Sequence, residues 1–355
     1  MKVLCRFERI LGPKGKIWSR MKEKLIVSAA TLTCLGLLAW RASVDRFGAT
    51  PARPTSAYRR HLAGYNYSHP MGLLPANDYH ALLNYSFTFG ILPRRNCPGS
   101  SFLLLVLVHS SPDNFRKRTV IRDTWGSKRD PDFRLYFLMG RTGNLTQEVL
   151  IKQEVERHGD IVQGNFLDRY RNLTYKHVMS LKYALYHCPR AKYVLKTDDD
   201  VFVHVPQLNR FLTRELSPYG TSGLLYCSLK KSAQVLRTYR SKWRVGFEEY
   251  PERTYPPYCP GWAVLYSPDV AFALYRSAQN CSRLFWIDDV LITGILAREN
   301  NFTHTDSSDR IISKEDQIGL VNGLRVPQKP FLFGRPDLNE IEIRRMWEGV
   351  RGDVA

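Results

Sequence analysis

The sequence lacks the short motifs by which several large enzyme classes are identified. Its 355 residues contain no H-E-x-x-H, no G-x-x-x-x-G-K-[ST] and no G-x-S-x-G. These absences exclude the zinc metalloproteases of that motif, the P-loop nucleotide hydrolases and the hydrolases with a nucleophile elbow. No internal repeat or low-complexity tract is present either, which excludes a solenoid or repeat array.

Acidic residues are few, with 33 Asp and Glu against 52 Lys and Arg and a formal net charge of +19. A basic excess favours polyanionic partners, namely nucleic acid, membrane surfaces, or phosphorylated or sulfated small molecules. Hydrophobic residues make up 44% and aromatic residues 12% of the chain, which excludes a disordered protein. The length suffices for one large or two ordinary domains.

Uncharged runs are scarce, but one extends from Leu25 to Trp40, with basic residues before it and Arg41 after it. As a helix it would span about 24 Å, slightly less than a ~30 Å hydrocarbon core. A cleaved signal peptide and a buried core helix are alternatives, but the long basic segment and the lack of an A-x-A site argue against cleavage. We interpret it as a signal anchor with a cytoplasmic N-terminus, which also argues against nucleic acid as a partner.

This interpretation sets the predicted domain organisation. Residues 1–24 form a cytoplasmic tail, 25–40 a transmembrane signal anchor, 41–95 a lumenal stem rich in Pro, Gly, Arg, Tyr and Asn, and 96–355 a folded lumenal domain. A short span suits the thinner membranes of the early secretory pathway.

Cysteines and glycosylation sequons are consistent with a lumenal body. Five cysteines follow the apolar run, at positions that match no zinc pattern. They can form two disulfides and leave one thiol, with the connectivity open. Asn172 also has a sequon, but it is placed to cap a helix. The other five sequons are glycosylation candidates: Asn66, Asn84, Asn144, Asn280 and Asn301.

Strand and helix patterns alternate through the predicted folded domain. The apolar run Phe102–Val108 is typical of a strand that is buried on both faces of a parallel sheet. Further strands are predicted at 134–140, 160–163, 192–197 and 223–229, and helices at 144–158, 172–187, 207–215 and 267–277. The alternation predicts an α/β fold with a doubly wound, mostly parallel sheet flanked by helices.

The most informative stretch is the aspartate run Asp198-Asp199-Asp200, which directly follows a predicted buried strand. Ligands of open α/β sheets bind outside the carboxyl ends of the strands. Because side chains alternate, we expect Asp198 and Asp200 to face one way and Asp199 the other. Two such carboxylates suit Mg²⁺ or Mn²⁺, whereas the alternative is a solvated acidic turn. A calcium loop is disfavoured because Val203 stands where that loop needs glycine.

A second acidic pair, Asp288-Asp289, opens the predicted helix 290–297. These carboxylates either cap the helix and interact with its dipole or supply a general base near the metal site. Arg118 and Arg122 are four residues apart and form either a solvated helix face or a clamp for a diphosphate.

Aromatic residues and glycines cluster between the two acidic sites, and Trp243, Tyr255 and Tyr258 stand out among them. Aromatic faces pack well on sugar rings, although core packing and Pro-aromatic turns explain such residues more often.

Together these residues resemble the β-1,3-galactosyltransferase / β-1,3-N-acetylglucosaminyltransferase family of inverting glycosyltransferases. The resemblance runs from about residue 101 to 297, in the order Arg118-x-x-Ile-Arg-x-Thr-Trp-Gly126, Phe137-Leu-Met-Gly140, Gly159–Gly164, Phe166–Lys176, Lys196–Phe202, Ser241-Lys-Trp243, Tyr255–Gly261 and Asp288-Asp-Val290. It implies a GT-A (Rossmann-like) catalytic domain, a type II Golgi membrane location, a UDP-sugar donor and Mn²⁺.

The resemblance also implies roles for individual residues. Asp198 and Asp200 correspond to the metal carboxylates and Asp289 to the general base. The donor site would include Arg118, Arg122, Lys196 and Asp199. The sugar or acceptor cleft would include Trp243, Tyr255, Tyr258, Gly261 and Asp288.

Three features depart from the resembled family. Many relatives have a histidine that completes the metal site just before the closing segment, but Lys329–Gly334 contains none, and His304 is the only histidine after Asp289. Pro260 and Trp262 replace small residues, and the helix after Asp289 fits the family pattern loosely. These differences leave weak metal binding, an altered donor and lost activity open.

The leading interpretation is a β-1,3-glycosyltransferase that uses UDP-galactose or UDP-N-acetylglucosamine, with galactose favoured. Its acceptor would be a glycan on a glycoprotein, glycolipid or proteoglycan. The alternatives are a catalytically silent lumenal glycan-binding or chaperone-like relative, and a metal-dependent phosphohydrolase. The last of these would need a second metal or a nucleophile.

Overall fold

The computed structural model describes residues 73–74, 78–93, 97, 99–127, 132–281, 283–324 and 327–351. The predicted tail and signal anchor, most of the predicted stem and Asn66 lie outside these ranges. None of the helices in the described ranges has the length and apolar character needed to cross a membrane.

The folded unit is a mixed α/β structure built on an eight-stranded sheet. In chain order its strands are β3 (Phe89–Ile91), β4 (Phe102–His109), β5 (Phe133–Arg141), β6 (Ile161–Leu167), β7 (Ala191–Asp198), β8 (Leu225–Cys227), β9 (Ala263–Tyr266) and β10 (Thr305–Asp306). A separate two-stranded sheet pairs β1 (Ala81–Leu82) with β2 (Tyr85–Ser86).

The sheet order is β10-β8-β9-β7-β4-β5-β6-β3. The four central strands β7, β4, β5 and β6 are parallel, whereas β3 and β9 pair antiparallel with their neighbours. All eight residues of β4 are buried, as its continuous apolar pattern predicts for a strand covered on both faces. The predicted parallel centre is confirmed.

Helices flank this sheet, both on the connections between strands and after the last described strand. They are α1 (Phe115–Asp123), α2 (Leu145–His158), α3 (Leu173–His187), α4 (Val205–Arg210), α5 (Pro268–Gln279), α6 (Ala297–Glu299), α7 (Lys314–Val321) and α8 (Glu340–Val350). α4 continues as a π-helix over Phe211–Leu216, and another π-helix, Val290–Leu296, leads into α6. The predicted helices are thus present, with bounds that differ by one to a few residues.

The folded unit begins earlier than the predicted boundary at residue 96. β3 pairs with β6 at the edge of the sheet. Asp78 is buried and accepts hydrogen bonds from Tyr186 (2.6 Å), Tyr275 and Gln279 (2.6 Å). The ammonium group of the fully buried Lys182 donates to the Asp78 and Ala81 carbonyls. Residues 78–91, predicted as stem, therefore belong to the fold.

Two disulfides join the cysteines. Cys97 pairs with Cys188 and Cys227 with Cys259, and Cys281 is free. The predicted number of two bridges and one remaining thiol is confirmed. The second bridge closes the long connection between β8 and β9, which carries the aromatic cluster.

Among the sequon asparagines of the described residues, four predicted glycan acceptors are exposed: Asn84, Asn144, Asn280 and Asn301. Asn144 also caps α2 by accepting from the Thr146 and Gln147 amides. Asn172 makes no side-chain cap, contrary to the prediction, because its amide group donates to the Leu167 carbonyl at 2.8 Å instead.

Candidate active site

The aspartate run lies at the carboxyl end of β7, in the middle of the sheet. Asp198 is in register with His109 of β4 on one side. On the other side its amide donates to the Trp262 carbonyl at 3.2 Å, just before β9. The structure thus places the run at the edge of the sheet where ligands of α/β proteins bind.

The three aspartates have different environments. Asp199 is buried, and its carboxylate accepts from the Ser110 hydroxyl (2.7 Å) and the Asn114 amide (2.9 Å), with the Lys117 ammonium at 3.8 Å. Asp198 Oδ1 accepts from Lys196 Nζ at 3.0 Å. The predicted donor-binding residue Asp199 is therefore engaged by the protein's own donors, and it holds the loop after β4.

Asp200 is the aspartate of the run whose carboxylate has a buried oxygen, Oδ1, without a hydrogen-bond partner. Burial, and then the charge of Asp198, raises the pKa of Asp200 to about 6. Burial also raises the pKa of Asp198, although Lys196 opposes this. An orphaned carboxylate oxygen next to a second carboxylate fits a hard divalent cation, which would satisfy both.

The second acidic pair separates into one engaged and one free carboxylate. Asp288 is buried and accepts from His177 Nδ1 at 2.8 Å, while His177 Nε2 lies 3.0 Å from the Tyr266 hydroxyl. Asp289 Oδ2 accepts from the Gly261 amide at 2.7 Å, and its Oδ1 is buried without a partner. No side-chain cap is formed at the start of this helix, so capping does not explain these residues.

The pKa shifts of the pair follow this division. Burial and then the neighbouring Asp288 raise the pKa of Asp289 well above its ordinary value. Burial alone would raise the pKa of Asp288 too, but the hydrogen bond and charge of His177 outweigh it and lower that pKa. Asp288 is thus held as the anion by His177, and Asp289 is the carboxyl of the pair with the raised pKa.

One metal-like grouping here is better explained without a metal. Ligand atoms of His177, Asp288 and Asp289 all lie within 4.8 Å of one another. Because His177 and Asp288 already share a hydrogen bond, we interpret them as a hydrogen-bonded pair that fixes Asp288 next to Asp289.

Lys196 and Gly261 join the two acidic sites. The ammonium of the buried Lys196 donates to Asp198 Oδ1 and to the Gly261 carbonyl. Burial alone would lower the pKa of Lys196, but the charges of Asp198, Asp289 and Asp288 outweigh it and raise that pKa. A Cβ atom on Gly261 would lie 2.1 Å from Asp289 Oδ1 and 2.5 Å from Lys196 Nζ. Only glycine permits this approach.

The predicted arginine clamp is wrong. Arg118 is 1% exposed. Its Nε and Nη2 donate to Glu154 at 2.8 and 2.7 Å, and its Nη1 donates to the Ser110 hydroxyl and the Ser111 carbonyl. Arg122 donates to both carboxylate oxygens of Asp160, and its Nη1 lies 2.7 Å from Glu154. The two arginines share a helix face as predicted, but that face packs inward against acidic partners.

The predicted aromatic residues divide between the surface and the core. The ring of Trp243 is half-buried and stacks on Trp286, with centroids 5.7 Å apart and planes 7° apart. The exposed Tyr170 meets Trp243 edge-on at 5.7 Å. Tyr258 is half-buried, and the charge of Asp289 adds to burial in raising its pKa. Trp243 thus contacts the segment just before Asp288, and Tyr258 lies close enough to Asp289 to be affected by its charge.

The structure corrects the predicted position of Tyr255 in a sugar cleft. Its ring is buried among Tyr250 and Phe285, with centroids 5.0 and 6.1 Å away, so it belongs to the core of the loop and not to a sugar cleft.

Several residues of the site were not predicted. Ser110 and Asn114 hold Asp199, and His177 holds Asp288. His177 had a usable signal, since it is a polar residue on the buried face of a predicted helix. His304, the histidine after Asp289, lies 2.6 Å from the Thr293 carbonyl through Nε2.

The chain is similar in sequence to a known protein family. The sequence model of the family described as Galactosyltransferase matches residues 116–308. Human beta-1,3-galactosyltransferase 5 is 35% identical over 212 residues, which cover 59% of this chain and 67% of that protein. Lactosylceramide 1,3-N-acetyl-beta-D-glucosaminyltransferase A from Danio rerio is 30% identical over 276 residues, which cover 74% of this chain and 70% of that protein. The apo structure of mouse xyloside xylosyltransferase 1 covers 67% of this chain and 98% of its own, with 11% identity and a TM-score of 0.33.

Proposed function

Because the chain belongs to the galactosyltransferase family, we propose that it transfers a hexose from a UDP-sugar to a glycan acceptor in β-1,3 linkage, with inversion at the anomeric carbon. Galactose is the favoured sugar and N-acetylglucosamine the second candidate, since relatives with either activity in their names match the chain. The observation that carries the proposal is the free Oδ1 of Asp289. Hydrogen bonds through Gly261 and Lys196 connect this carboxyl to Asp198 in the aspartate run.

The proposed donor side of the site is the carboxyl end of β7. Asp198 and Asp200 would hold Mn²⁺ through carboxylate oxygens, which include the orphaned Oδ1 of Asp200. A cation bound there would supply Lewis-acid neutralisation of the charge that develops on the diphosphate leaving group. Lys196, fixed on Asp198, adds a buried positive charge beside that position.

The proposed acceptor side is built around Asp289. In a single displacement, the acceptor oxygen forms its bond to the anomeric carbon while the bond from that carbon to the UDP oxygen breaks. Asp289 Oδ1 accepts the proton of the acceptor hydroxyl, and the Gly261 amide holds Oδ2 at 2.7 Å throughout. A raised pKa suits this role because it makes the ionised carboxylate a stronger base. Trp243, stacked on Trp286, supplies a flat apolar face for a sugar ring.

We also propose the cellular arrangement. The two disulfides favour an oxidising compartment, which agrees with a GT-A catalytic domain in the Golgi lumen on a single-pass type II anchor at residues 25–40. The proposed acceptor is a glycan on a glycoprotein, glycolipid or proteoglycan.

The test incubates the purified full chain with a panel of UDP-sugars, in Mn²⁺ or in EDTA, and measures UDP release with and without simple acceptors. Mn²⁺-dependent release from UDP-galactose or UDP-N-acetylglucosamine would support the proposal and identify the sugar. No turnover of any donor, together with no metal-dependent UDP binding, would favour the catalytically silent glycan-binding alternative.

A further inference from the structure

Two short segments that each hold an aromatic residue between two basic residues meet on the surface of the fold. They are Arg169-Tyr170-Arg171, just before α3, and Lys242-Trp243-Arg244, in the connection between β8 and β9. The rings of Tyr170 and Trp243 meet edge-on, with centroids 5.7 Å apart. Three of the four basic residues are exposed, and Arg244 is half-buried. We call these two segments the aromatic–basic surface.

Trp286 connects the aromatic–basic surface to the proposed general base. Its ring stacks on Trp243, and it stands three residues before Asp289 in the chain. Three residues span at most about 11 Å, which a short glycan can bridge. The Thr174 hydroxyl, in the first turn of α3, donates to the Phe285 carbonyl at 2.6 Å, so the segment before α3 is fixed against the same stretch of chain. An acceptor held on this surface can therefore reach Asp289.

The basic residues of this surface differ in their partners. The Arg171 guanidinium lies over the Trp286 ring, with Cζ 4.4 Å from the centroid, and forms an ion pair with Glu249. Lys242 forms no ion pair with any residue that the structure describes. The charge of Arg171 is therefore partly neutralised within the protein, whereas that of Lys242 is not.

The ammonium group of Lys242 lies among groups that fit a bound anion. It is 5.3 Å from the centroid of the Tyr170 ring, 5.4 Å from that of the Trp243 ring and 3.5 Å from the Tyr170 hydroxyl. The ammonium and the hydroxyl can both donate to one oxyanion, and the rings next to them can pack on a sugar. The surrounding connection, residues 228–262, holds seven Lys and Arg against three Glu, so its field also attracts anions.

We propose that the aromatic–basic surface selects an acceptor glycan that carries an anionic substituent, either a sulfate ester or a carboxylate. The sugar packs against the rings of Tyr170 and Trp243, and the Lys242 ammonium pairs with the anion. Lys242 is thus a specificity-determining residue, and it takes no part in the proton transfer or in the departure of UDP. This inference rests on the proposed function, because it names the chemical class of that reaction's acceptor.

The experiment measures kcat and KM of the full chain with Mn²⁺, the preferred UDP-sugar and matched acceptors. Benzyl β-N-acetylglucosaminide and benzyl β-galactoside are each supplied as the neutral sugar, as the 6-sulfate and as the 6-carboxylate, so that the two anions are distinguished. We expect KM to be about five- to tenfold lower for a charged form than for its neutral form, the worth of a partly exposed charge-assisted contact. The difference should shrink in high salt, which screens exposed charges.

Two variants of Lys242 isolate its charge. Because Lys242 is exposed, both should fold normally. Lys242→Gln should abolish most of the preference for the charged form, whereas Lys242→Arg keeps a positive charge and should retain it. Lys314→Gln is the matched control and should also retain the preference, because it removes an exposed lysine charge from the start of α7, a helix that packs against α8.

The outcomes separate the inference from the proposed function. Turnover of neutral acceptors without a preference for either charged form, or a preference that survives Lys242→Gln, would overturn the inference and leave the proposed function standing. If no acceptor is turned over, the proposed function fails, and calorimetric binding of the same benzyl sugars decides the inference. Tighter binding of a charged form that depends on Lys242 would support it, and equal binding of charged and neutral forms would contradict it.

Discussion

Asp288 and Asp289 are neighbours in sequence, yet the structure gives their carboxylates opposite properties. His177 and Tyr266 fix Asp288 from the interior, whereas Asp289 has one oxygen held by the Gly261 amide and one oxygen free. Paired carboxylates whose pKa values are driven apart are a common basis for assigning an acid–base role. The free and more basic member is Asp289, and the account of catalysis depends on it.

The position of Asp289 predicts the effect of Gly261→Ala. The added methyl group would lie 2.1 Å from Asp289 Oδ1 and 2.5 Å from Lys196 Nζ, so the free oxygen must move. A displacement of about 1 Å at a reacting group can cost ~100-fold in rate. We expect turnover of the folded variant to fall by about that factor in a kinetic assay.

Gly99→Ala is the control for that substitution, since nothing lies within 4 Å of the added Cβ atom. It should keep wild-type turnover. Normal turnover in Gly261→Ala as well would show that the position of Asp289 Oδ1 is not critical.

The raised pKa of Asp289 predicts the acid limb of the pH profile. A protonated carboxyl cannot accept the acceptor's proton, so activity is present above this pKa and lost below it. Because burial and Asp288 raise it, kcat/KM should begin to fall well above pH ~4, the value for an ordinary aspartate. The assay uses saturating Mn²⁺, so that Asp198 and Asp200 stay ionised. A profile that is flat down to about pH 4 would contradict the assignment.

The sequence could predict these acidic sites because they follow a strand and open a helix, but it could not predict every partner. An i,i+4 pair of arginines shows a shared face without showing which way that face points. Arg118 and Arg122 donate to carboxylates that are distant in sequence, Glu154 on α2 and Asp160 just before β6.

At the scale of elements, a buried ion network ties α1 to α2 and β6. Glu154 is 3% exposed in its side chain and lies between Arg118 and Arg122 at 2.7 Å from each. Burial would raise the pKa of Glu154, but the hydrogen bonds and charges of the two arginines outweigh it and lower that pKa. Arg118 also donates to Ser110, which donates to Asp199. The network therefore supports the loop after β4 that contacts Asp199.

Glu154→Gln should destabilise the fold, because it leaves two buried arginines without their shared counterion. Breaking a buried pair costs about 3–5 kcal/mol. Denaturant unfolding should show a loss of that size. Glu156→Gln removes an exposed carboxylate from the same helix and should change the unfolding free energy by less than about 0.5 kcal/mol. Equal effects of the two substitutions would argue against the network.

The accuracy of the predicted elements follows from their length and burial. β4, β5, α2 and α3 have strong patterns over eight or more residues, and the sequence locates them well. β1, β2 and β10 have two residues each, too few for any periodicity. The π-helix Val290–Leu296 has the same apolar pattern as an α-helix, so only coordinates distinguish them.

At the scale of the whole molecule, the packing of residues 78–91 predicts where a stable fragment must begin. A fragment 96–355 would lose β3 and leave the fully buried Lys182 without the Asp78 and Ala81 carbonyls. An uncompensated buried charge costs about 3–5 kcal/mol. We expect a fragment 63–355, which spans the compact unit, to have a clearly higher thermal midpoint than 96–355. Equal midpoints would show that the N-terminal residues add no stability.

The most direct test of the central claim compares turnover and UDP binding in wild type and Asp289→Asn. The substitution keeps the shape of the side chain but removes the proton acceptor, while Asp198, Asp200 and Lys196 are untouched. The account predicts that kcat falls by about 10²–10⁴, the usual worth of a general base, and that Mn²⁺-dependent UDP affinity is unchanged. Near-normal turnover in Asp289→Asn would contradict it, because the proton would then have to leave through another group.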